Sequence, residues 1–155
     1  MLLSSLLLVP FLGTLALLVW PGSPSPQRLR LISIAILALQ LLLSLVALAG
    51  FDIHQSGMQL VELHRWLPGI GLDYSLGIDG LSLPLVLINA ALSLVAAVIT
   101  RDIDKRPRIY FAMLLLISGA VNGAFLAQNL LLFFLFYELE LIPLWLLISV
   151  WGGVN

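Results

Sequence analysis

Five long apolar stretches divide this chain of 155 residues, and they constrain its fold more than any other feature. Each is about 20 residues long, the length that an α-helix needs to cross the hydrocarbon core of a bilayer. Hydrophobic residues make up 61% of the sequence and charged residues 10%, compared with about half and about a quarter in soluble domains. We therefore predict an all-α integral membrane protein. The five predicted transmembrane helices cover residues 2–20, 31–51, 81–100, 109–127 and 130–151.

The polar segments between these stretches differ in character. Residues 21–30 form a Pro/Ser-rich linker, residues 101–108 a short charged loop, and Gln128 and Asn129 a tight turn. Residues 52–80 form a longer loop with turn signals at Pro68-Gly69 and Gly71 and a short alternating pattern after them. Short strands and an amphipathic piece both remain open there.

The basic residues predict the orientation of the chain. Six of its seven Lys and Arg residues lie in the first and third loops, and such residues are retained on the cytoplasmic side of a membrane. The N-terminus is then predicted outside, on the lumenal or periplasmic face. The first span has no Lys or Arg before it, which disfavours a cleaved signal peptide. The six residues are Arg28, Arg30, Arg101, Lys105, Arg106 and Arg108.

Several classes of site are disfavoured. The chain has no cysteine, which excludes disulfides and cysteine-ligated metal sites within it. His54 and His64 lack metal-ligand spacing, so no metal site is expected. The net charge of −1 gives no attraction to nucleic acid, and no nucleotide-binding motif occurs.

Glu138 and Glu140 are the only charged residues in the fifth predicted span, and they lie near its middle. A carboxylate at the bilayer centre costs about 2.5–3.5 kcal/mol on insertion scales, so ionisable groups there usually serve a function. Residues two apart on a helix differ by about 200° in direction, so the two side chains face nearly opposite sides. We expect one to face a proton path and the other a neighbouring helix or subunit. The structural alternative is that both only form salt bridges.

Pro143 introduces an irregularity in the same helix. Proline has no N–H, so the carbonyl of Leu139, which lies between the two glutamates, loses its helical hydrogen bond. A freed carbonyl beside a buried carboxylate can hold water, which a proton relay requires.

For the polar and small residues in the neighbouring spans, structural roles are favoured over roles in transport. Gly119 and Gly123 form a GxxxG spacing, which favours close helix packing. Asn122 is either a hydrogen-bonding contact between helices or a minor member of a proton path. Asp79 precedes the third span, where a carboxylate cap for the free N–H groups of the helix is favoured over a transport role.

Two longer phrases carry a family resemblance. FYELELIPLWLLISVWGG (residues 136–153) resembles the fifth transmembrane helix of chain 4 of complex I, the M-type antiporter-like subunit. YSLGIDGLSLPLVLI (residues 74–88) is similar to the entry into the third helix of that family. The resemblance covers residues 64–153, and the double-glutamate form is most similar to the cyanobacterial and plastid version, the photosynthetic NAD(P)H dehydrogenase-like complex.

The resemblance implies a proton-pumping membrane-arm subunit without a redox centre. The glutamate that it places on the proton path matches Glu138, with Glu140 secondary. It implies other membrane-arm subunits as partners and a quinone, with plastoquinone expected, that is reduced elsewhere in the complex by NAD(P)H or ferredoxin. The location implied is a thylakoid membrane, with a bacterial inner membrane as the alternative.

The family protein is several times longer than these 155 residues. Residues 1–108 would be its three leading helices, and residues 109–155 the first two helices of its first antiporter-like repeat. The lysine that works with the family glutamate lies on a later helix, and Lys105 is the only lysine here. Two alternatives remain open: a subunit of a secondary cation/proton antiporter, and a small structural or assembly membrane protein.

Overall fold

The computed structural model describes residues 2–22, 25–52, 54, 57–100 and 106–151. Within these ranges the chain forms five long helices and one β-hairpin. By length and composition, all five helices could cross a membrane. In chain order the elements are α1 (Leu2–Val19), α2 (Pro26–Ala49), β1 (Gln59–Leu67), a 3-10 turn (Pro68–Ile70), β2 (Leu72–Ile78), α3 (Ser82–Ile99), α4 (Pro107–Leu126) and α5 (Leu130–Trp151).

The helix boundaries lie close to the predicted spans, with one difference. Helix α2 begins at Pro26, five residues before the predicted start at residue 31. The Ser25 side chain accepts a hydrogen bond from the Arg28 N–H at 3.2 Å, and Pro26 occupies the first turn, where its missing N–H is not needed. Part of the expected linker is therefore the first turn of a helix.

The long loop contains a two-stranded antiparallel sheet that the sequence left undecided. Tyr74 pairs with His64 and Asp73 with Arg65, and the turn between the strands has Gly71 at a φ of +76°. A second irregularity lies near the start of β1, where Leu60 has a φ of +56° and the pairing register shifts. Such a bulge redirects the side chains that follow it.

Helix α4 lies at the centre of the bundle and packs against all four other helices. In its most apolar 18-residue window 56% of the residues are buried, compared with 11% in α5, which packs chiefly against α4. One apolar cluster lies at the end of the bundle that carries β1 and β2, here called the hairpin end, and includes Leu3, Leu76 and Leu126. A second cluster lies towards the opposite end.

Candidate functional site

Glu138 and Glu140 lie on different faces of α5. Phe136, Leu132 and Pro143 mark the face that packs towards the bundle, since Leu132 and Pro143 are buried and Phe136 is half-buried. Glu138 is about 200° from Phe136 around the helix and is exposed, whereas Glu140 is about 40° from Phe136 and is half-buried. The two carboxylates are thus separated, with Glu138 on the face that α1–α4 leave uncovered.

Glu138 lines a shallow and mostly apolar groove on that uncovered face. The groove has a volume of about 450 Å³. A carboxylate in such surroundings needs a proton, water or a cationic partner to offset its loss of hydration. The groove is lined by Leu135, Glu138, Leu139, Leu141, Ile142 and Trp145.

Neither glutamate has a hydrogen bond or an ion pair with any other residue in the described part of the chain. Two arginines of the described chain, Arg30 and Arg108, donate hydrogen bonds to backbone carbonyl groups instead. Arg30 donates to the carbonyl of Val98 at the end of α3, and Arg108 donates to the carbonyl of Trp20 at 2.7 Å, just beyond α1. Lys105 lies outside the described residues. Among the described residues, neither glutamate therefore forms the salt bridge that the structural alternative requires.

Pro143 lies on the buried face of α5, and the helix continues through it from Leu130 to Trp151. The carbonyl of Leu139 has no N–H partner from residue 143, because proline has none to donate. Leu139 also lines the groove around Glu138. The expected irregularity is thus next to the exposed glutamate, and hydration of this turn stays a prediction.

Asn122 belongs to a buried polar network that the sequence did not connect. Asn89 of α3 donates to the Asn122 side-chain oxygen at 2.8 Å and to the Ser118 carbonyl at 3.1 Å. Asn122 donates to the carbonyl of Leu6 in α1 at 3.5 Å. Gln40 of α2 exchanges hydrogen bonds with the Ser118 hydroxyl at 2.9 and 3.1 Å. These neutral contacts connect four helices, and their pairing is typical of contacts that hold helices together.

The two glycines of the GxxxG spacing receive aromatic rings from two different helices. A Cβ placed on Gly123 would lie 2.5 Å from the Phe136 ring of α5, and one on Gly119 would lie 3.2 Å from the Phe11 ring of α1. The two rings stack on each other, with centroids 6.2 Å apart and planes inclined by 22°. The glycines thus form a groove on α4 that holds a pair of phenyl rings.

Asp79 lies just before α3, where its carboxylate accepts hydrogen bonds from the N–H groups of Leu81 at 3.0 Å and Ser82 at 2.8 Å. The Ser82 hydroxyl in turn accepts from the Asp79 N–H at 2.9 Å. This reciprocal pair is a capping box. The backbone hydrogen bond from Ser82 holds the pKa of Asp79 below its usual value.

Glu62, which sequence reasoning missed, occupies a second carboxylate site at the hairpin end. It accepts hydrogen bonds from the Leu3 N–H at 2.9 Å, from the Ser4 N–H at 3.2 Å and from the Ser4 hydroxyl. The Ser4 hydroxyl also shares a hydrogen bond with the Tyr74 hydroxyl at 2.8 Å. Burial raises the pKa of Glu62, but the hydrogen bonds from Ser4 help to lower it, and the net pKa lies below the ordinary value. The only sequence signal was a glutamate in a short stretch that could alternate as a strand.

No group of three or more His, Asp or Glu side chains gathers as a metal site in the described ranges. The capping sites and the polar network order the bundle, whereas Glu138 and Glu140 have no such contact among the described residues.

Comparisons with known proteins identify the family. The chain is 41% identical over 152 residues to NAD(P)H-quinone oxidoreductase chain 4 1 of Synechococcus sp. (strain JA-2-3B'a(2-13)), an alignment that covers 97% of this chain and 28% of the relative. The chain belongs to the NAD(P)H-quinone oxidoreductase chain 4 family. Chain 4 of Prochlorococcus marinus (strain MIT 9215) is 34% identical over 99% of this chain and 29% of the relative. No family model matches.

A solved structure agrees with this chain 4 assignment. A subunit of respiratory complex I from Thermus thermophilus, solved with bound NADH, has a TM-score of 0.77 and 29% identity to this chain. The match covers 99% of this chain and 30% of that subunit. The expected family and the helical membrane fold are thereby confirmed. The chain spans less than a third of the length of the chain 4 relatives it matches.

Proposed function

We propose that this chain is the N-terminal part of a membrane-arm subunit of a proton-translocating NAD(P)H- or ferredoxin:quinone oxidoreductase, and that it contributes part of a proton path. The homology to chain 4 supports the assembly. The observation that carries the path is the position of Glu138, a carboxylate near the middle of a span, on an apolar face that the rest of the described chain leaves uncovered.

Glu138 is the main proton carrier in this proposal. Its groove is apolar, and no side chain in the described ranges neutralises its charge. Binding and release of a proton would change the charge without any partner from α1–α4. In the longer protein, the face that carries Glu138 would be covered by further protein and water, because an ionised carboxylate exposed to lipid is strongly disfavoured.

Glu140 has a secondary role. It is half-buried on the side of α5 that turns towards α4, about 160° from Glu138 around the helix. Asn122 contributes to hydrogen bonding between helices rather than to the path, because its carbonyl oxygen and amide group are both used in contacts with α3 and α1. Pro143 supports local hydration beside Leu139.

The proposed assembly supplies what this chain lacks. Other membrane-arm subunits are the partners, and the quinone, with plastoquinone expected, reacts with electrons from NAD(P)H or ferredoxin in other subunits. Residues 1–108 would be the leading helices, and residues 109–155 the start of the first antiporter-like repeat. The proposed location is a cyanobacterial or plastid thylakoid membrane. The hairpin end and the start of α1 would face the lumen, since Arg28, Arg30, Arg106 and Arg108 lie towards the opposite end.

The test is Glu138→Gln in the full-length subunit of the assembled complex, reconstituted in vesicles. We expect quinone reduction to persist while the number of protons translocated per electron falls, because glutamine cannot bind and release a proton. Glu140→Gln is the matched control and should have a smaller effect. Undiminished pumping per electron in the Glu138 variant would exclude Glu138 as the main proton carrier.

A further inference from the structure

We propose that Gly123 and Phe136 are positioning residues for Glu138: the ring of Phe136, held in the glycine groove of α4, sets the rotation of α5 and thereby the face on which Glu138 lies. This inference rests on the proposed proton-carrier function of Glu138. The function itself does not require the inference.

The contact between Gly123 and Phe136 leaves no room for a larger residue. A Cβ on Gly123 would lie 2.5 Å from Cγ and Cδ1 of the Phe136 ring and 2.7 Å from Cδ2, well inside van der Waals distance. These atoms belong to the part of the ring nearest its own backbone. Room for a methyl group would therefore require either a change of χ1, which would take the ring out of the groove and away from Phe11, or a shift of the α5 backbone.

The ring is also held from a second side. Phe11 of α1 stacks on Phe136, and Phe11 itself lies against Gly119, one helical turn before Gly123 on α4. Sideways displacement of Phe136 would therefore disturb α1 as well. This arrangement ties the angular position of α5 to two helices through one side chain.

Apart from Phe136, the bundle-facing side of helix α5 consists mainly of Leu132, Pro143 and a few half-buried leucines. The helix has the smallest buried fraction of the five helices, and it packs chiefly against α4. Phe136 and Glu138 are two residues apart on one rigid helix, so any turn of the Phe136 ring about the axis moves Glu138 through the same angle. Rotation would carry Glu138, together with the groove that α5 residues alone line, away from its present face and would change how closely Glu140 lies to α4.

The experiment uses Gly123→Ala, Phe136→Leu and the double variant in the full-length subunit of the assembled complex. One readout is protons translocated per electron. The other is the ratio of modification of Glu138 to that of Glu140 by dicyclohexylcarbodiimide, which converts protonated carboxyls in apolar surroundings to stable acylureas that mass spectrometry locates. A simple loss of stability would lower the amount of assembled complex without changing this ratio.

We expect Gly123→Ala to lower pumping per electron and to change the labelling ratio several-fold, and the double variant to restore both towards wild type. Gly69→Ala is the matched control, because a methyl there meets no atom within 4 Å. If Gly123→Ala does not assemble, Phe136→Leu alone tests the same contact, since it loosens α5 without overpacking and should also change the ratio.

An assembled Gly123→Ala or Phe136→Leu variant with an unchanged ratio and unchanged pumping overturns the inference. Failure of the proposed function looks different. In that case Glu138→Gln pumps normally, while the labelling ratio still changes in the Gly123 variant.

Discussion

The carboxylate of Glu62 accepts a hydrogen bond from the backbone N–H of Ser4 at 3.2 Å, so that a strand residue caps helix α1 across 58 positions of sequence. The Leu3 N–H donates to the same carboxylate. The first N–H groups of a helix have no partner within it, and a negative charge near them is favourable. The hairpin therefore completes a membrane helix that has no acidic residue in its own first turn.

Glu62→Ala should destabilise the start of α1 by about 1 kcal/mol, the typical cost of losing a helix cap. Glu62→Gln should cost less, because its amide oxygen can still accept while its charge is gone. Hydrogen exchange at the first-turn amides of α1, followed by mass spectrometry, is the measurement. Equal protection in wild type and the alanine variant would show that the capping contact contributes nothing.

The same contact predicts a pH dependence. The pKa of Glu62 in the folded protein lies below its ordinary value of 4.5, because the hydrogen bonds from Ser4 favour the charged form. Its contribution to stability should then be complete above about 4.5 and be lost as the pH falls through the lowered folded-state pKa. First-turn exchange in α1 should rise in that acidic window for wild type and stay flat for Glu62→Gln.

At the start of α3, Asp79→Ala should cost about 1 kcal/mol, since it removes the two hydrogen bonds that the carboxylate accepts from the N–H groups of Leu81 and Ser82. Asp79→Asn is the matched control, because asparagine is an equally good cap that carries no charge. Thermal unfolding of the detergent-solubilised protein reports the difference. Equal losses with asparagine and alanine would indicate that the charge of Asp79, and not the cap, is what matters.

The contact between Gln40 and Ser118 should show coupling. Ser118→Ala leaves a buried amide without its partner, and such a loss costs about 1–3 kcal/mol in water-soluble proteins and about 0.6 kcal/mol on average between membrane helices. Gln40→Leu removes the amide instead. A double-mutant cycle on thermal stability should give a non-zero interaction energy, whereas strictly additive single effects would exclude a direct contribution from this pair.

Arg108 contacts several carbonyl groups at the end of α1, including those of Leu17 at 3.1 Å and Gly22 at 2.7 Å. Arg108→Lys keeps the positive charge, but its single ammonium group cannot replace the two guanidinium nitrogens that donate to these carbonyls. We expect faster hydrogen exchange in the last turn of α1 in the lysine variant, with normal membrane orientation. Arg28→Lys is the control, since the side chain of Arg28 is exposed.

The sequence was sufficient for the helices because each span carries its own apolar signal of about 20 residues. It misjudged the start of α2, where Ser25 and Pro26 act as a cap and first turn inside a linker-like composition. It also indicated, through helix periodicity, that Glu138 and Glu140 lie on nearly opposite faces of one helix, and the structure places one exposed and one half-buried.

The remaining features depend on partners far apart in the chain. Strand β1 mixes apolar and polar residues without a regular alternation, so it is defined mainly by its pairing with β2, and the Glu62 contact needs that pairing first. The GxxxG spacing indicated close packing, but nothing local to Gly123 shows that its occupant is the ring of Phe136 from the next helix. The rotation of α5 about its axis follows from this contact together with the packing of Leu132 and Pro143.

Helices α1 and α3 each have a carboxylate at the start and an arginine at the end, supplied by Glu62 and Arg108 for α1 and by Asp79 and Arg30 for α3. The two arginines thus have one expected role during membrane insertion and another in the folded protein. During insertion we expect them to contribute to the charge asymmetry that keeps their loops on the cytoplasmic side. After folding they donate hydrogen bonds to carbonyl groups at the ends of α1 and α3. Exchange of either arginine for a neutral residue would therefore weaken biogenesis and the finished bundle together, and only variants that keep the charge can separate the two effects.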